Sequence, residues 1–335
     1  MSPGKRRPFG KAWREVKIAV KRVDRTVFAA RDGETLFGRH YVPSGEKKGT
    51  LLFVHGVDAA PNIEQYKILL HVLAKEGLEV YAVDQRGHGK TKAEFDVDKM
   101  QTDIVDVLEI IKRRQVAAGQ PTNVMIAGHS MGAVIAAGGL LKAHKQGADI
   151  PRVSAFVSYA PPRRLAELEV IKNVLRRFGA IDKLRIPKPL KLIATSAAYA
   201  LANPRLEPPR KAWNLLRSLT AVRRMKADRL TVRDVSHLQR EFERVPNFVE
   251  TVAKLKERNA LPRSIVLLGS QDSLIETNDE QKRAAYKGDL EKQGIRVNVV
   301  PFSHIPPSIS IAGEHDIFDL SKLIARALVP RHGEK

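Results

Sequence analysis

The most informative stretch of the chain reads Asn123-Val-Met-Ile-Ala-Gly128-His129-Ser130-Met131-Gly132 and leads into an apolar run over residues 133–141. The pattern predicts a strand, a tight glycine-serine-glycine turn and the start of a helix, which is the setting in which G-x-S-x-G forms a nucleophile elbow. Only residues without a side chain fit around so tight a turn, hence Gly128 and Gly132. The turn places the Ser130 hydroxyl beside the free N–H groups of a helix N-terminus, which can stabilise an oxyanion. Ser130 is therefore the candidate nucleophile.

Short apolar runs alternate with amphipathic segments on both sides of this stretch. That rhythm is typical of a parallel sheet whose strands are buried on both faces and whose helices cover both sides. The predicted strands lie at residues 50–54, 80–83, 124–127, 153–159, 264–268, 297–300 and 309–312, and the last two predicted helices at 279–293 and 316–328. Near the N-terminus, the alternation of Val16, Ile18 and Val20 predicts a half-buried strand. A hairpin is predicted from residues 26–30 and 35–41 around Asp32-Gly33.

The strand–helix alternation stops at residue 163 and resumes near residue 247. Between them, apolar residues recur only at helical spacing, which predicts an inserted helical lid. We therefore predict a basic N-terminal extension over residues 1–25, an α/β core over 26–162 and 246–330, and a lid over 163–245.

Composition limits the chemistry. The 335 residues include no cysteine, which excludes disulfides, thiolate zinc sites and a cysteine nucleophile. Apolar residues make up 43% of the chain, enough for one large core with an insertion. No apolar segment follows the basic N-terminus, and no run of about 18 apolar residues occurs, so neither a secretory signal nor a transmembrane helix is expected. These features favour a cytoplasmic protein, with peripheral attachment to a membrane as an alternative.

The net charge of +21 is concentrated outside the predicted core. Residues 1–49 hold 13 Lys and Arg against 5 Asp and Glu, and residues 163–245 hold 20 against 8, whereas the rest of the chain holds 25 against 24. Such a surface attracts phosphate groups, including those of an anionic membrane, or is simply well solvated. Few aromatic residues accompany the basic ones, which disfavours nucleic-acid recognition by base stacking.

A serine hydroxyl needs a base to accept its proton and an acid to orient that base. Asp272 is the preferred acid because it follows a buried strand and a glycine turn, with Glu276 and Asp279 as lesser candidates. Two histidines compete for the role of base. His315 directly precedes the last predicted helix and is preferred, while His304 follows the predicted strand at 297–300 equally well.

The oxyanion hole should combine two backbone N–H groups. One belongs to Met131, directly after the serine, and the other to Val57, which follows His55-Gly56 at the end of a buried strand. His55 itself is expected to be structural.

A second glycine-rich turn, from Asp84 to Thr91, resembles a phosphate-binding loop, but an aspartate stands where the first glycine should be. An NTPase is therefore disfavoured.

Together these motifs resemble those of the α/β-hydrolase superfamily, and most of all those of its monoacylglycerol lipase and lysophospholipase-like branch. The motifs are His55-Gly56, Asp84-x-Arg86-Gly87-His88-Gly89-x-Thr91, Gly128-His129-Ser130-Met131-Gly132, Gly269-x-x-Asp272 and Gly313-x-His315-Asp316. They follow one another in the family's order over residues 26–162 and 246–330. The stretch 297–315 is longer than the family usually shows, which leaves both histidines open.

The resemblance implies an α/β-hydrolase fold, with a mostly parallel central sheet, helices on both faces and a variable helical cap. It implies a Ser-His-Asp enzyme, without cofactor or metal, that cleaves a small carboxylic ester through an acyl-enzyme. The fold does not choose between esters, thioesters and lysophospholipids. The alternatives from other classes are a hydrolase-fold protein used only for binding and a protein that binds through its basic surface.

Overall fold

The computed structural model of the chain describes residues 16–57, 60–167, 235–272, 275, 277–302 and 317–329. Eight strands in these ranges form one sheet: β1 (Val20–Ala29), β2 (Thr35–Pro43), β3 (Gly49–Val54), β4 (Leu78–Val83), β5 (Asn123–His129), β6 (Arg152–Tyr159), β7 (Arg263–Gly269) and β8 (Arg296–Val300). Their order across the sheet is β1-β2-β4-β3-β5-β6-β7-β8. β2 is antiparallel to β1 and β4, and the other neighbours are parallel.

Helices cover both faces of this sheet. Those of the described ranges are α1 (Glu64–Lys75), α2 (Val97–Ala117), α3 (Met131–Gln146), α4 (Val235–Arg244), α5 (Phe248–Glu257), α6 (Glu280–Lys292) and α7 (Ile317–Leu328). α1 and α7 pack on one face, and α2, α3, α5 and α6 pack on the other. The predicted mostly parallel sheet with helices on both faces is therefore confirmed.

The central strands carry runs of consecutive apolar residues because both of their faces are buried. In β3, Leu51 and Phe53 pack under α1, whereas Leu52 and Val54 pack under α2 and α3. None of the four is more than 2% exposed. Burial of each such side chain stabilises the fold by about 1.5–3 kcal/mol. Because β3 to β8 are paired in parallel, their carboxyl ends lie along one edge of the sheet, and the loops after β3, β5 and β7 lie at that edge.

The start of the chain corrects one expectation. Residues 16–18 are helical rather than a strand, with Val16 in the core under α1 and Ile18 77% exposed. Three apolar residues at alternate positions were too short a pattern to define a strand. β1 begins at Val20 and pairs with β2 along its whole length, from Val20–Pro43 to Ala29–Thr35. Residues 20–25, assigned above to an N-terminal extension, thus belong to the sheet, and the hairpin over Asp32-Gly33 is confirmed.

Most of the predicted lid lies outside the described residues, as does the predicted strand at 309–312, so both stay predictions. The C-terminal end of the lid segment, α4, docks on the core. The Glu241 carboxylate accepts a hydrogen bond of 2.8 Å from the N–H of Val97, the first residue of α2. Phe242 makes an edge contact with Phe95, their centroids 5.5 Å apart. A carboxylate at a helix N-terminus satisfies an otherwise unpaired donor and complements the helix dipole.

The arginine of the second glycine-rich turn is a structural anchor. The guanidinium of Arg86 forms a two-pronged ion pair with the Asp103 carboxylate of α2, at 2.7 and 2.8 Å, and contacts Asp32 of the hairpin turn at 2.9 Å. Its side chain is only 3% exposed. Planar, bidentate pairing of this kind is the strong form of charge-assisted hydrogen bond. Arg86 therefore ties the β1–β2 hairpin to the sheet and to α2.

Candidate active site

Ser130 is the single residue between β5 and α3. β5 ends at His129, α3 begins at Met131, and Ser130 between them has φ 52° and ψ −128°. A positive φ is uncommon for a residue with a side chain and marks stored backbone strain, as expected at a nucleophile elbow. The elbow is held on one side by the Ser130 N–H, which donates to the Tyr159 carbonyl oxygen at 2.9 Å. The local conformation is the one that the glycine-serine-glycine pattern predicted.

The two glycines of the elbow are required by close contacts. A Cβ on Gly128 would lie 2.4 Å from the Ala133 Cα atom, and a Cβ on Gly132 would lie 2.2 Å from the His55 carbonyl oxygen. Both neighbours are backbone atoms, which cannot rotate away as a side chain can. Gly132 therefore lets the start of α3 pack directly against the end of β3.

The loop after β3 lies against the elbow. A Cβ on Gly56 would be 3.1 Å from the Ser130 Cβ atom, so the two turns are in contact. Val57 is half-buried in this loop, and Met131 is fully buried as the first residue of α3. The N–H of a first helical residue has no acceptor inside its own helix. The structure thus brings together the segments that carry both predicted oxyanion donors.

His55 fixes the shape of this loop. Its Nδ1 lies 2.7 Å from the Gly56 carbonyl oxygen, and its Nε2 accepts from the Gln85 N–H at 3.0 Å. These partners select the tautomer that carries its proton on Nδ1. Burial lowers the pKa of His55 well below its usual range and that of neighbouring His88 to about 4, so both imidazoles are neutral at physiological pH. These contacts hold the His55 imidazole against the loop after β3 and the turn after β4.

Asp272 follows β7 in a loop that is fastened on several sides. Its side chain is fully buried, and its Oδ1 accepts from the Ile275 N–H at 3.2 Å. The Thr277 hydroxyl donates to the Gly269 carbonyl oxygen at 2.7 Å, and the Ser270 N–H donates to the Val300 carbonyl oxygen of β8 at 2.8 Å. The loop therefore holds the carboxylate at the same edge of the sheet as the elbow.

Tyr159 lies between the strand that precedes Asp272 and the elbow. Tyr159 ends β6, the strand between β5 and β7, and its ring lies over the His129 imidazole, 5.2 Å apart and 25° from parallel. Burial raises the pKa of its phenol well above the usual range, and the nearby Asp272 charge raises it further. Asp272, the acid predicted from the sequence, thus follows the strand next to β6, where the Tyr159 carbonyl oxygen accepts from the Ser130 N–H.

The other candidate residues are placed as follows. Asp279, a lesser candidate for the acid, is the N-cap of α6 and accepts from the Lys282 N–H at 3.0 Å. Glu276 lies outside the described residues. His304 and His315 also lie outside them, between the end of β8 and the start of α7, so their roles stay predictions. Within the described ranges, no cluster of metal-binding side chains is found.

The turn from Asp84 to Thr91, whose sequence resembles a phosphate-binding loop, holds the carboxylate of its own Asp84. The Asp84 Oδ2 accepts from the Lys90 N–H at 2.8 Å, and a Cβ on Gly89 would lie only 2.4 Å from the same oxygen. The carboxylate therefore occupies the position beside the turn's backbone amides that a bound phosphate would need. This turn is a structural element rather than a nucleotide site.

The role of Tyr66 is visible only in the structure. In the sequence it forms a helical apolar pattern with Leu69, Leu70 and Leu73. In the structure its hydroxyl lies 2.5 Å from the His129 Nδ1 and accepts from the Gly56 N–H at 3.2 Å. A helical pattern reports which face is buried but not which polar partner a buried tyrosine meets. Only the packing of α1 against the ends of β3 and β5 reveals this contact.

The strand order, the strained serine between β5 and α3, and the buried aspartate after β7 define an α/β-hydrolase. The profile of the Hydrolase_4 family, described as serine aminopeptidase, S33, matches residues 45–294. The chain belongs to this family.

Comparisons with individual proteins agree with that assignment. The chain is 33% identical over 105 residues to monoglyceride lipase of Mus musculus, and 35% identical over 107 residues to that of Homo sapiens. Each match covers 31% of this chain and 34% of the relative, about a third of the relative's length. Two solved carboxyl esterases share the fold. That of Bacillus coagulans has a TM-score of 0.59 at 18% identity, over 90% of this chain and 96% of the esterase. That of Tuber melanosporum has a TM-score of 0.55 at 16% identity, over 93% of this chain and 88% of the esterase.

Proposed function

We propose that this protein hydrolyses carboxylic esters through a covalent acyl-enzyme on Ser130. The observation that carries the proposal is the strained serine at the end of β5, flanked by the Val57 loop and the first turn of α3. Asp272 supplies the acid from the end of β7, and His315 is the base, with His304 as the alternative. Monoglyceride lipases among the relatives and carboxyl esterases among the structural neighbours support this reaction class.

The reaction follows from the order of these groups. The Ser130 oxygen attacks the ester carbonyl while its proton passes to the histidine, which Asp272 orients. The negative charge that develops on the carbonyl oxygen is held by the N–H groups of Val57 and Met131. The carbon–oxygen bond to the leaving alcohol then breaks, the alcohol takes the proton from the histidine, and the acyl group remains on the serine. Water repeats the sequence and releases the carboxylic acid.

The substrate is proposed to carry an acyl chain, as monoglycerides do, and the predicted lid over residues 163–245 is proposed to cover that acyl chain. A thioester would react by the same steps, with a thiol leaving in place of the alcohol. The family's description as a serine aminopeptidase makes an aminoacyl amide the competing substrate. Aminoacyl p-nitroanilides should therefore be tested beside the esters, and hydrolysis of the anilides alone would favour the peptidase.

The identity of the base is tested by replacing each histidine in turn. With p-nitrophenyl esters from acetate to palmitate, His315→Ala is expected to lower kcat by about 10⁴-fold, because the serine then keeps its proton. His304→Ala should change kcat by less than about tenfold, since it removes no proton acceptor. The reverse pattern would assign the base to His304. Full activity in both variants would contradict the mechanism.

We further propose that the basic surface contacts anionic membranes, which would bring the enzyme to lipid esters. In the described part of the chain, burial lowers the pKa of the His71 imidazole, and the charges of Lys17, Arg39 and Lys67 lower it further. These three cations therefore lie near His71, and the proposed contact surface is the one formed by α1 and β2. Among the described residues, no helix is long and apolar enough to span a bilayer.

Salt dependence tests the membrane proposal. Binding to vesicles of phosphatidylserine and phosphatidylcholine should fall steeply between about 0.1 M and 0.5 M NaCl, because salt screens the attraction. Lys67→Glu should weaken binding more than Lys254→Glu, an exposed change on α5 at the opposite face of the sheet. Binding that does not respond to salt, or equal effects of the two variants, would contradict contact through this surface.

A further inference from the structure

One buried hydroxyl joins the two turns of the candidate site. The Tyr66 Oη accepts a hydrogen bond of 3.2 Å from the Gly56 N–H, in the loop after β3. The same oxygen lies 2.5 Å from the Nδ1 of His129, the last residue of β5. Tyr66 projects from α1 and is only 1% exposed. Two segments that are 73 residues apart in sequence are thus bridged by a single side chain from a third segment.

The hydrogen-bonding capacity of the hydroxyl fits this bridge. A phenol has one proton to donate and lone pairs to accept with. The Gly56 N–H occupies a lone pair, and the remaining capacity serves the His129 ring in either direction of donation. Burial raises the pKa of the Tyr66 phenol above its usual range, so the hydroxyl keeps its proton at physiological pH.

The position of the bridge is what gives it a function. Gly56 is bonded directly to Val57, and His129 directly to Ser130, which is followed by Met131. Because each peptide unit is planar, moving Gly56 or His129 also moves the N–H group or the nucleophile that follows it. The two proposed oxyanion donors lie on opposite sides of the bridge. Their separation must be held within about 0.5 Å for an oxyanion to be bound by both.

We propose that Tyr66 is a positioning residue that sets the width of the oxyanion hole by joining the Val57 loop to the nucleophile elbow. The inference rests on the proposed ester hydrolysis and deepens it. The aromatic ring that carries this hydroxyl is packed against a neighbour: the Tyr66 ring lies edge-on to Phe53, with ring centroids 5.1 Å apart. The His129 ring that it contacts is stacked on Tyr159. The bridge therefore connects rigid parts on both sides.

Tyr66→Phe tests the inference because it removes only the hydroxyl. The variant is expected to lower kcat for a p-nitrophenyl ester by about tenfold, less than the loss of a whole oxyanion donor, while KM changes by less than about twofold. Inhibition by a trifluoromethyl ketone, whose serine adduct carries an oxyanion, should weaken by the same factor as kcat/KM. A residue that served stability alone would not produce this correspondence.

Tyr286→Phe is the matched control. Tyr286 is also buried, and its hydroxyl donates to a backbone oxygen, that of Pro161, at 3.0 Å on the other face of the sheet. The control should retain kcat and inhibitor affinity even if it unfolds at a lower temperature.

His129→Gln removes the bridge from its other end and gives a second test should Tyr66→Phe not fold. The double variant Tyr66→Phe/His129→Gln should be about as active as the less active of the two single variants, because both changes break the same bridge.

The outcomes separate this inference from the proposed function. Kinetics and inhibition of Tyr66→Phe that match those of Tyr286→Phe would overturn the positioning role while leaving ester hydrolysis intact. Additive losses in the double variant would also overturn it. A folded wild type that neither hydrolyses esters nor reacts with a fluorophosphonate would overturn the proposed function, and this inference with it.

Discussion

Ser130→Ala is expected to lower kcat for ester hydrolysis by about 10⁵-fold, to a residual rate that comes from the oxyanion hole and substrate binding alone. The serine oxygen is the atom that would form the covalent bond, and the elbow holds no second hydroxyl or thiol, because glycine, histidine, methionine and glycine are its other residues. The change removes one oxygen and leaves the backbone of the turn in place. Thermal unfolding should therefore shift by less than about 2 °C.

Ser158→Ala is the appropriate control for this loss. Ser158 lies in β6, the strand next to β5, is 1% exposed, and its hydroxyl has no hydrogen-bond partner in the described structure. The same chemical change there should leave kcat within about twofold, since it touches no reacting group. Activity that survives Ser130→Ala, or that disappears equally in Ser158→Ala, would contradict the assignment of the nucleophile.

Gly132→Ala is expected to cost about 3 kcal/mol or more in the free energy of unfolding, a large effect for a single methyl group. The added Cβ would lie 2.2 Å from the His55 carbonyl oxygen and 2.3 Å from that of Val54. Relief would require α3 to move away from the end of β3, which would also separate the two oxyanion donors. Denaturant unfolding, with ester hydrolysis measured on the fraction that stays folded, checks both consequences.

Gly288→Ala is the matched control for this variant. Gly288 lies inside α6, and a Cβ there would meet no atom within 4 Å. Alanine should stabilise this helix by about 0.5–1 kcal/mol, because glycine loses more backbone freedom on folding. Equal and small effects of the two substitutions would show that the contact between α3 and β3 can relax, and that Gly132 is not required by packing.

The parts of the fold that follow from sequence are those with a strong local signal. The buried strands were readable because both faces of β3 and β5 are covered, which makes their sequences continuously apolar. The elbow was readable because a single turn geometry imposes glycine on both sides of Ser130. By contrast, the pattern at Val16 and Ile18 was too short to separate strand from helix, and the extent of β1 depended on its pairing with β2.

The sequence predicts which segments carry the candidate site residues, but not the contacts that hold those segments in place. Asp272 and the Val57 loop were found because each follows a buried strand, and parallel strands bring such positions to one edge of the sheet. Tyr66 was not recognised, because its partner lies 63 residues away and nothing in a helical pattern encodes a hydroxyl's acceptor. Nor did the sequence show that the Asp84 carboxylate closes its own turn. Contacts of this kind arise from tertiary packing.

The central claim, that Ser130 is the nucleophile of a hydrolase, is tested most directly by mapping a covalent adduct. The wild-type protein, treated with a fluorophosphonate, should gain the mass of one phosphonyl group, and peptide mass spectrometry should locate it on Ser130. Ser130→Ala should gain none, and Ser158→Ala should react like the wild type. A folded wild type that remains unmodified, or an adduct on any other residue, would contradict the claim.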